Sequence, residues 1–577
     1  MKLTFMRRGV AAVAAASLIT IGAPVVASAS AVEACALGTI CEGALSGSLG
    51  DSPFQIVMPE KFNGTVLVYS HGYRVATPIP AGLAVPLGLN TNAYKPISYP
   101  AFAPSFGSSV AYQASNEADV APTEVVAENL LTQGYALAGA GYARQGWAAN
   151  EGVEAGQNLI GYINSGAIAK TKKIMVWGNS LGGLISSTIA ERNPNKVAGV
   201  LSSCGVEEGP MPAFDTAMTV LQTWKTLIAP NLKVANYTAG AVGYGEALGD
   251  LATVVKLLGG AAAGLTVTPA GYPFAQANLL AGLMAGLPTK SSVYDGQTRN
   301  PAFASLGTLA ALGGGFQPAS AGASSAAAML QNVGAAAALG ILGRYEMEMK
   351  VRQIGQIPPN ESANFTDNVN VSYSKLLSPE QRGEFGDTLN ATTVISNPLN
   401  AMLGTLDSTR GSTTARFPAN PKAVAIVEGL AAPKGTYKVP TLMITTTYDT
   451  VVPAGNTSAF MNKLTASYKK QNKAKRGNFK AAAFYTIPPA DGWTKFDPGA
   501  KAPNPALSVA ALGNSGVGHC VYTPEQTLKA VAALSKMVNA KSAQKVVAAK
   551  RFLYATPGVN KDRLFKPDAL KQPAKTQ

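Results

Sequence analysis

The chain has 577 residues, of which 47% are hydrophobic and 14% are charged, and its formal net charge is +15. This length allows one large domain with an insertion, or about two to four domains of average size. The apolar content is typical of a globular protein with a large core, and it excludes a chain too polar to fold.

The N-terminus has the pattern of a targeting segment. Three basic residues precede an apolar, Ala-rich stretch at 9–26, and an A-x-A cleavage motif ends at Ala29. The pattern predicts a signal peptide over 1–29 that is cleaved near Ala29, and therefore a secreted protein. An uncleaved anchor helix is the alternative, because the apolar run is nearly long enough to cross a membrane. The small residues and the cleavage motif favour removal.

Much of the positive charge lies at the other end of the chain. Residues 541–577 contain nine Lys or Arg against two Asp, a net charge of +7. The region has no nucleic-acid recognition motif, so we expect no nucleic-acid partner. We expect a basic C-terminal tail with a weak attraction to an anionic cell wall or membrane surface, or a tail that only aids solubility.

Strand and helix patterns alternate in the first part of the chain. The apolar run at 65–69 is typical of a strand buried on both faces, and the Pro-, Ser- and Asn-rich stretch at 75–120 is expected to be a long loop over the sheet. The alternation predicts a mostly parallel sheet with helices on both faces. Its strands are expected at 54–58, 65–69, 135–140, 174–176 and 197–202, and its helices at 125–131, at about 151–165 and from 181 to Asn193.

The alternation stops near Ser202. Residues 207–435 are rich in Ala, Gly and Leu at helical spacing, which predicts a large, mainly helical cap inserted into the sheet domain. The alternation resumes with strands at 439–445 and 481–487 and a closing helix at 523–539. The predicted sheet domain therefore has two halves, at 30–206 and 436–540.

One short stretch indicates catalysis. An apolar strand at 174–176 leads into Gly-Asn-Ser-Leu-Gly and then into a helix, the context of a nucleophile elbow. The turn must be so tight that a Cβ at Gly178 or Gly182 would clash. Ser180 Oγ would then lie above the sheet at a helix N-terminus, which favours a developing negative charge.

A serine hydroxyl is a poor nucleophile unless a neutral imidazole accepts its proton. The chain has only two histidines, His71 after an early strand and His519 after the last strand. The order Ser…Asp…His favours His519 as the general base for Ser180.

An acid is needed to orient the imidazole. Asp449 follows the strand at 439–445 and is the predicted third member of the triad. A helix N-cap role is its structural alternative, and Glu207 and Glu208, after the strand that ends near Ser202, are rival acids.

These residues resemble those of the α/β-hydrolase superfamily and, more loosely, those of exported bacterial esterases and lipases with a large cap. The resemblance covers about 50–206 and 436–540. It is carried by His71-Gly72, the Gly-x-Ser-x-Gly at 178–182, Asp449 and Gly518-His519.

The resemblance implies hydrolysis of a carboxylic ester through an acyl-enzyme on Ser180, without a metal or cofactor. The backbone N–H groups of Leu181 and Tyr73 would form the oxyanion hole. There is no His-Gly-Gly-Gly run, so the tertiary-alcohol esterase subclass is not indicated.

Four cysteines in an exported protein suggest two disulfides. Cys35 and Cys41 can close a small loop, which leaves Cys204 with Cys520. Tannases have a bridge between neighbours of the serine and the histidine, but no cysteine adjoins Ser180 here. A Cys204–Cys520 bond could act as an analogous clamp, and a free or purely structural pair is the alternative.

The substrate is the least determined feature. A small-molecule or lipid-like ester is expected, with Trp147 and Arg144 as candidate pocket residues. A capped serine peptidase is an alternative, in which a cap carboxylate binds a peptide amino terminus; its candidates are Glu207, Glu208 and Glu346. Acyl transfer to a cell-surface acceptor is another alternative, and a non-catalytic binding protein is the least favoured.

Overall fold

The structure of the protein is a computed structural model. The predicted signal peptide at 1–29 and the stretch at 511–518 before His519 lie outside the described residues. The described residues are 34–84, 93–98, 109–262, 268–272, 274–286, 323–379, 382, 398–446, 449, 451–471, 479–486, 519–556, 559, 567 and 569–570.

The described strands, in chain order, are β1 (Ile40–Leu45), β2 (Ser52–Val57), β3 (Thr65–Ser70), β4 (Ile79–Pro80), β5 (Tyr94–Ser98), β6 (Val110–Ala114), β7 (Ala136–Ala140), β8 (Lys173–Asn179), β9 (Gly199–Ser203), β10 (Thr441–Thr446) and β11 (Ala481–Thr486). Eight of them form the main sheet, in the order β1-β2-β7-β3-β8-β9-β10-β11. From β7 to β11 along this order all neighbours are parallel, whereas β1 pairs with β2 and β2 with β7 in antiparallel fashion.

The described helices are α1 (Ala81–Ala84), α2 (Glu124–Thr132), α3 (Ala149–Tyr162), α4 (Leu181–Arg192), α5 (Pro210–Leu227), α6 (Ala241–Ala262), α7 (Phe274–Met284), α8 (Ala323–Gly355), α9 (Pro398–Ser408), α10 (Pro421–Glu428), α11 (Ala454–Gln471), α12 (Pro524–Asn539) and α13 (Ala543–Tyr554). Successive residues of β8 point to opposite faces of the sheet. Val176 joins the apolar cluster of α3 and α4, and Trp177 joins the cluster of α2, α12 and α13. The predicted parallel sheet with helices on both faces is therefore confirmed.

The helices from α5 to α10 lie between β9 and β10, and we call residues 207–435 the helical insertion. A capping role for the insertion stays a prediction. No helix in the described part of the chain is long and apolar enough to cross a membrane. The insertion has its own apolar core, which includes Trp224, Leu251, Leu280, Ile341 and Met402.

The stretch at 75–120 differs from the expected long loop. It contains a small antiparallel sheet in the order β4-β6-β5. Its apolar side chains, among them Ile79 and Leu83, pack against the core of the helical insertion. The turn-rich composition concealed these short strands, which are held by pairing with one another, since β6 is hydrogen-bonded to both β4 and β5.

The predicted basic tail at 541–577 begins as a packed helix. Within α13, Val546, Ala549 and Leu553 are buried against α12 and the sheet. Their spacing of three and four residues places them on one face of the helix. This part of the chain therefore belongs to the core of the sheet domain, and the prediction of a tail is wrong for it.

We expect Leu553→Ala to lower the free energy of unfolding by about 2–5 kcal/mol, because Leu553 is fully buried. Val547 of the same helix is 48% exposed, and Val547→Ala should change stability by about 0.5 kcal/mol or less. Chemical denaturation followed by circular dichroism measures both. Equal effects of the two substitutions would contradict the packed helix.

Candidate active site

The turn at Ser180 is tight. β8 ends at Asn179 and α4 begins at Leu181, so a single residue reverses the chain, with φ 57° and ψ −125°. A Cβ at Gly178 would lie 2.3 Å from the carbonyl oxygen of Gly182. A Cβ at Gly182 would lie 2.0 Å from the carbonyl oxygen of Ser70. Both positions therefore require glycine, for the steric reason that the sequence suggested.

The structure brings the three predicted triad residues together. His519 Nε2 lies 2.7 Å from Ser180 Oγ, and His519 Nδ1 lies 2.8 Å and 3.0 Å from the two carboxylate oxygens of Asp449. Asp449 is fully buried and accepts hydrogen bonds from the N–H groups of Val451 and Val452. With Nδ1–H donating to Asp449, Nε2 can accept the hydroxyl proton of Ser180.

The rival acids have other partners. Glu207 accepts a hydrogen bond from the hydroxyl of Ser202, and Glu208 forms an ion pair with Lys463 at 2.8 Å. Burial raises the pKa of Glu207 to about 7. Among the described carboxylates, Asp449 is therefore the one that is hydrogen-bonded to His519.

The second histidine supports the chain beside the serine. The ring of His71 stacks on Tyr142 with centroids 3.8 Å apart, and its Nδ1–H donates to the carbonyl of Gly72 at 2.7 Å. Burial, reinforced by the positive charge of Arg74, lowers the pKa of His71 to about 3. The imidazole is therefore neutral near pH 7, and it contacts Gly72 and Tyr142 instead of Ser180.

The two predicted oxyanion donors belong to segments that adjoin Ser180. Leu181 is the first residue of α4, where backbone N–H groups have no acceptor inside the helix. A Cβ at Gly72 would lie 3.3 Å from Ser180 Cβ, so the chain passes close to the serine one residue before Tyr73. The oxyanion role of Leu181 and Tyr73 stays a prediction.

The two candidate pocket residues lie between the sheet domain and the helical insertion. Arg144 is exposed, and its Nη1 lies 3.3 Å from Gln353 of α8. The ring of Trp147 packs on Phe214 of α5 with centroids 5.3 Å apart. The indole N–H of Trp147 is buried and has no partner among the described residues. A role for Arg144 and Trp147 in substrate binding stays a prediction.

The cysteines pair as the sequence suggested, Cys35 with Cys41 and Cys204 with Cys520. The second bond joins the residue after β9 to the residue after His519, with the Cα atoms 5.4 Å apart. It ties the segment that carries His519 to β9, the strand beside β8. The sulfur atoms and His519 lie within 4.8 Å of one another, but sulfurs held in a disulfide are not thiolate ligands for a metal.

Sequence reasoning named Glu346 as a candidate for binding an amino terminus but missed its contact with Tyr73. Glu346 of α8 accepts a hydrogen bond from the hydroxyl of Tyr73, and Lys350 of the same helix bonds to Glu151 of α3 at 2.9 Å. The signal was available, because Arg344, Glu346, Glu348 and Lys350 place a charge at every second position of a helix that is otherwise apolar in this stretch.

The mostly parallel sheet, in which β2 runs opposite to its neighbours, the turn at Ser180, and the order Ser180, Asp449, His519 after β8, β10 and β11 together decide the fold. The chain has the α/β-hydrolase fold. In this fold the strand–turn–helix unit exposes the serine at the top of the sheet, and Asp449 and His519 meet Ser180 there.

No protein-family model and no curated protein matches this chain. It is similar to the solved structure of an esterase from Aspergillus oryzae, at 10% identity and a TM-score of 0.29, over 78% of this chain and 72% of that chain. It is similar to an α/β serine hydrolase without a lid from Xanthomonas campestris, at 11% identity and a TM-score of 0.19, over 29% of this chain and 62% of that chain. An esterase from Pyrobaculum calidifontis matches at 13% identity and a TM-score of 0.19, over 32% of this chain and 51% of that chain. The chain spans less than two thirds of the length of the last two proteins, and the fold assignment rests on the strand order and the turn at Ser180.

We expect loss of the Cys204–Cys520 bond to slow the reaction of Ser180 with a fluorophosphonate by about 100-fold, because a displaced imidazole no longer meets the hydroxyl. The measurement is the labelling rate of the Cys204→Ser/Cys520→Ser variant. The matched control is Cys35→Ser/Cys41→Ser, which removes the distant disulfide and should label at the wild-type rate. Equal rates for both variants would show that the clamp does not position His519.

Proposed function

We propose that this α/β-hydrolase is a secreted serine hydrolase that cleaves carboxylic esters through an acyl-enzyme on Ser180. The observation that carries the proposal is the 2.7 Å approach of His519 Nε2 to Ser180 Oγ, with buried Asp449 on the other side of the imidazole. The proposed substrate is a small-molecule or lipid-like ester, and no cofactor takes part.

The proposed reaction has two halves. Ser180 Oγ attacks the ester carbonyl carbon while its proton passes to His519 Nε2, and the resulting oxyanion accepts hydrogen bonds from the N–H groups of Leu181 and Tyr73. The tetrahedral intermediate collapses, and the alcohol leaves with the proton from His519. A water molecule then attacks the acyl carbon and gives a proton to His519, and collapse returns the proton to Ser180 as the carboxylic acid leaves.

The contacts of three acidic residues favour an ester over a peptide amino terminus as the substrate. Glu207, Glu208 and Glu346 were the candidates for binding an ammonium group. Glu207 and Glu208 bond to Ser202 and Lys463, and Glu346 is engaged by donors of the sheet domain. Acyl transfer would share the acyl-enzyme and differ only in the acceptor.

Secretion is supported by the N-terminal pattern and by the two cysteine pairs, since structural disulfides persist in oxidising compartments.

We expect Ser180→Ala to lower nitrophenyl-ester turnover by about 10⁴-fold or more and to abolish fluorophosphonate labelling, because the nucleophile is removed. The protein to use is the mature chain that begins after Ala29, with acyl chains from acetate to palmitate and aminoacyl nitroanilides in parallel. Ser165→Ala, at an exposed serine, is the matched control. Labelling and turnover of Ser180→Ala at the wild-type level would refute the serine mechanism, and faster turnover of the nitroanilides would favour the peptidase.

We also propose that the basic C-terminal region binds weakly to an anionic membrane surface. On α13, Arg551 lies on the same side as two exposed apolar side chains, Val547 (48%) and Tyr554 (39%), and Lys541 and Lys545 are exposed near the N-terminus of the helix. The sequence from 526 to 561 contains no acidic residue. Basic side chains around apolar ones suit a bilayer interface, where the charges meet lipid headgroups and the apolar atoms enter the boundary.

We expect the mature protein to sediment with vesicles that contain phosphatidylglycerol, and not with pure phosphatidylcholine, with binding that weakens as salt increases. Replacing Lys541, Lys545 and Arg551 with Gln should remove binding. The control variant replaces three exposed lysines of the helical insertion, Lys256, Lys422 and Lys434, with Gln. Equal loss in both variants, or binding only to isolated cell wall, would contradict a membrane site on α13.

A further inference from the structure

Helix α8 presents a buried carboxylate to the segment that follows Gly72. The hydroxyl of Tyr73 donates to Glu346 Oε2, and the backbone N–H and hydroxyl of Thr77 donate to Glu346 Oε1 at 2.8 Å and 2.9 Å. Three donors on residues 73–77 therefore meet one side chain of the helical insertion. Tyr73 is the residue whose own backbone N–H is the proposed oxyanion donor.

The contact is buried, and none of the described Lys or Arg side chains forms an ion pair with Glu346. Glu346 is 9% exposed, and burial raises its pKa to about 7. The titratable groups that face it are Tyr73 and Tyr94. The two nearby cations have other partners, since Arg74 bonds to Asp119 and Lys350 bonds to Glu151.

A buried carboxylate held by neutral donors is stable only while those donors stay aligned. A Cβ at Gly146 would lie 3.0 Å from Glu346 Oε2, so a second loop of the sheet domain also closes over the carboxylate. Displacement of residues 73–77 would leave the charge without its donors.

The opposite face of α8 makes contacts within the helical insertion. Arg344 and Glu348 are fully buried and four residues apart, and Glu348 accepts hydrogen bonds from the N–H groups of Asn236 and Tyr237. Residues offset by two positions lie on nearly opposite sides of a helix. Glu346 and Lys350 therefore form a separate pair of charges directed at the sheet domain.

We propose that Glu346 is a positioning residue that holds Tyr73 in place, so that the oxyanion hole is complete only while α8 is docked on the sheet domain. This inference rests on the proposed function and adds a role for the helical insertion in the chemical step. The hydrogen-bond partners of the carboxylate are Tyr73 and Thr77, and it is proposed to act through Tyr73.

The test compares three variants of the mature protein on one nitrophenyl ester. Glu346→Gln removes the charge, and Tyr73→Phe removes the linking hydroxyl but keeps the contacts of Thr77. The control is Tyr345→Phe, which removes a hydroxyl of the same helix that donates to the carbonyl of Gly240. We expect kcat to fall about tenfold in Glu346→Gln and Tyr73→Phe, with KM within about twofold of the wild-type value. This fall in kcat is smaller than that expected for complete loss of an oxyanion donor. The control variant should have the wild-type kcat and KM.

Two further readouts separate positioning from general loss of structure. The dissociation constant of an alkyl boronic acid, which forms a tetrahedral adduct with serine, should rise by the same factor as kcat falls, while that of the non-hydrolysable ether analogue of the ester stays constant. The ionised carboxylate is the form that accepts all three hydrogen bonds. Wild-type kcat/KM should therefore rise with pH through about 7 with a contribution from Glu346, and the Glu346→Gln profile should lack that ionisation.

An unchanged kcat in folded Tyr73→Phe and Glu346→Gln would overturn the proposal, as would a rise in KM with kcat constant. If Glu346→Gln does not fold, Tyr73→Phe decides the question by itself. Failure of the proposed function gives a different result, because wild-type Ser180 would then fail to react with the fluorophosphonate.

Discussion

At the turn around Ser180, β3, β8 and α4 approach one another through backbone atoms alone. The carbonyl of Ser70 at the end of β3 occupies the space where a side chain of residue 182 would begin, and the carbonyl of Gly182 occupies the space beside Gly178. This contact fixes the direction in which α4 leaves the sheet and strains the backbone of Ser180 into positive φ. The hydroxyl is therefore held above the sheet edge, and the other groups of the site converge on that point.

The three residues of the site are brought together by the topology of the sheet, because they lie far apart in the sequence. Ser180, Asp449 and His519 follow different strands, and the carboxyl ends of parallel strands meet at one edge of a sheet. The Cys204–Cys520 bond links residues 316 positions apart. It joins the residue after β9, where the helical insertion begins, to the residue after His519, so the two halves of the sheet domain are covalently linked beside the site.

The helical insertion is bound to the sheet domain by buried charges. Lys350 of α8 donates to both carboxylate oxygens of Glu151 and to the carbonyl of Trp147. Glu346 bonds to Tyr73 and Thr77 one turn away. Burying charged groups costs free energy unless each one is paired. These contacts therefore restrict α8 to one position beside the site more strictly than apolar packing alone would.

The sequence by itself determined the class of fold, the bounds of most strands to within about two residues, and the reason for glycine at 178 and 182. Those features are local, because they depend on apolar periodicity and on the sterics of a single turn. The sequence also limited the general base to two histidines. It left three acids open, and only the packing of β10 beside β9 put Asp449, instead of Glu207 or Glu208, against His519.

Other features were decided by tertiary structure alone. The strand Val110–Ala114 and the helix Ala543–Tyr554 escaped sequence reasoning. The strand is held by pairing with two other short strands, and the helix by burial against α12 and the sheet, and neither interaction is visible in the local sequence. The contact of Glu346 with Tyr73 spans 273 positions. A charged residue in an apolar helix indicates that it has a partner. Which residue is the partner depends on how the helical insertion docks on the sheet domain, and that docking geometry produces no periodic pattern in the sequence.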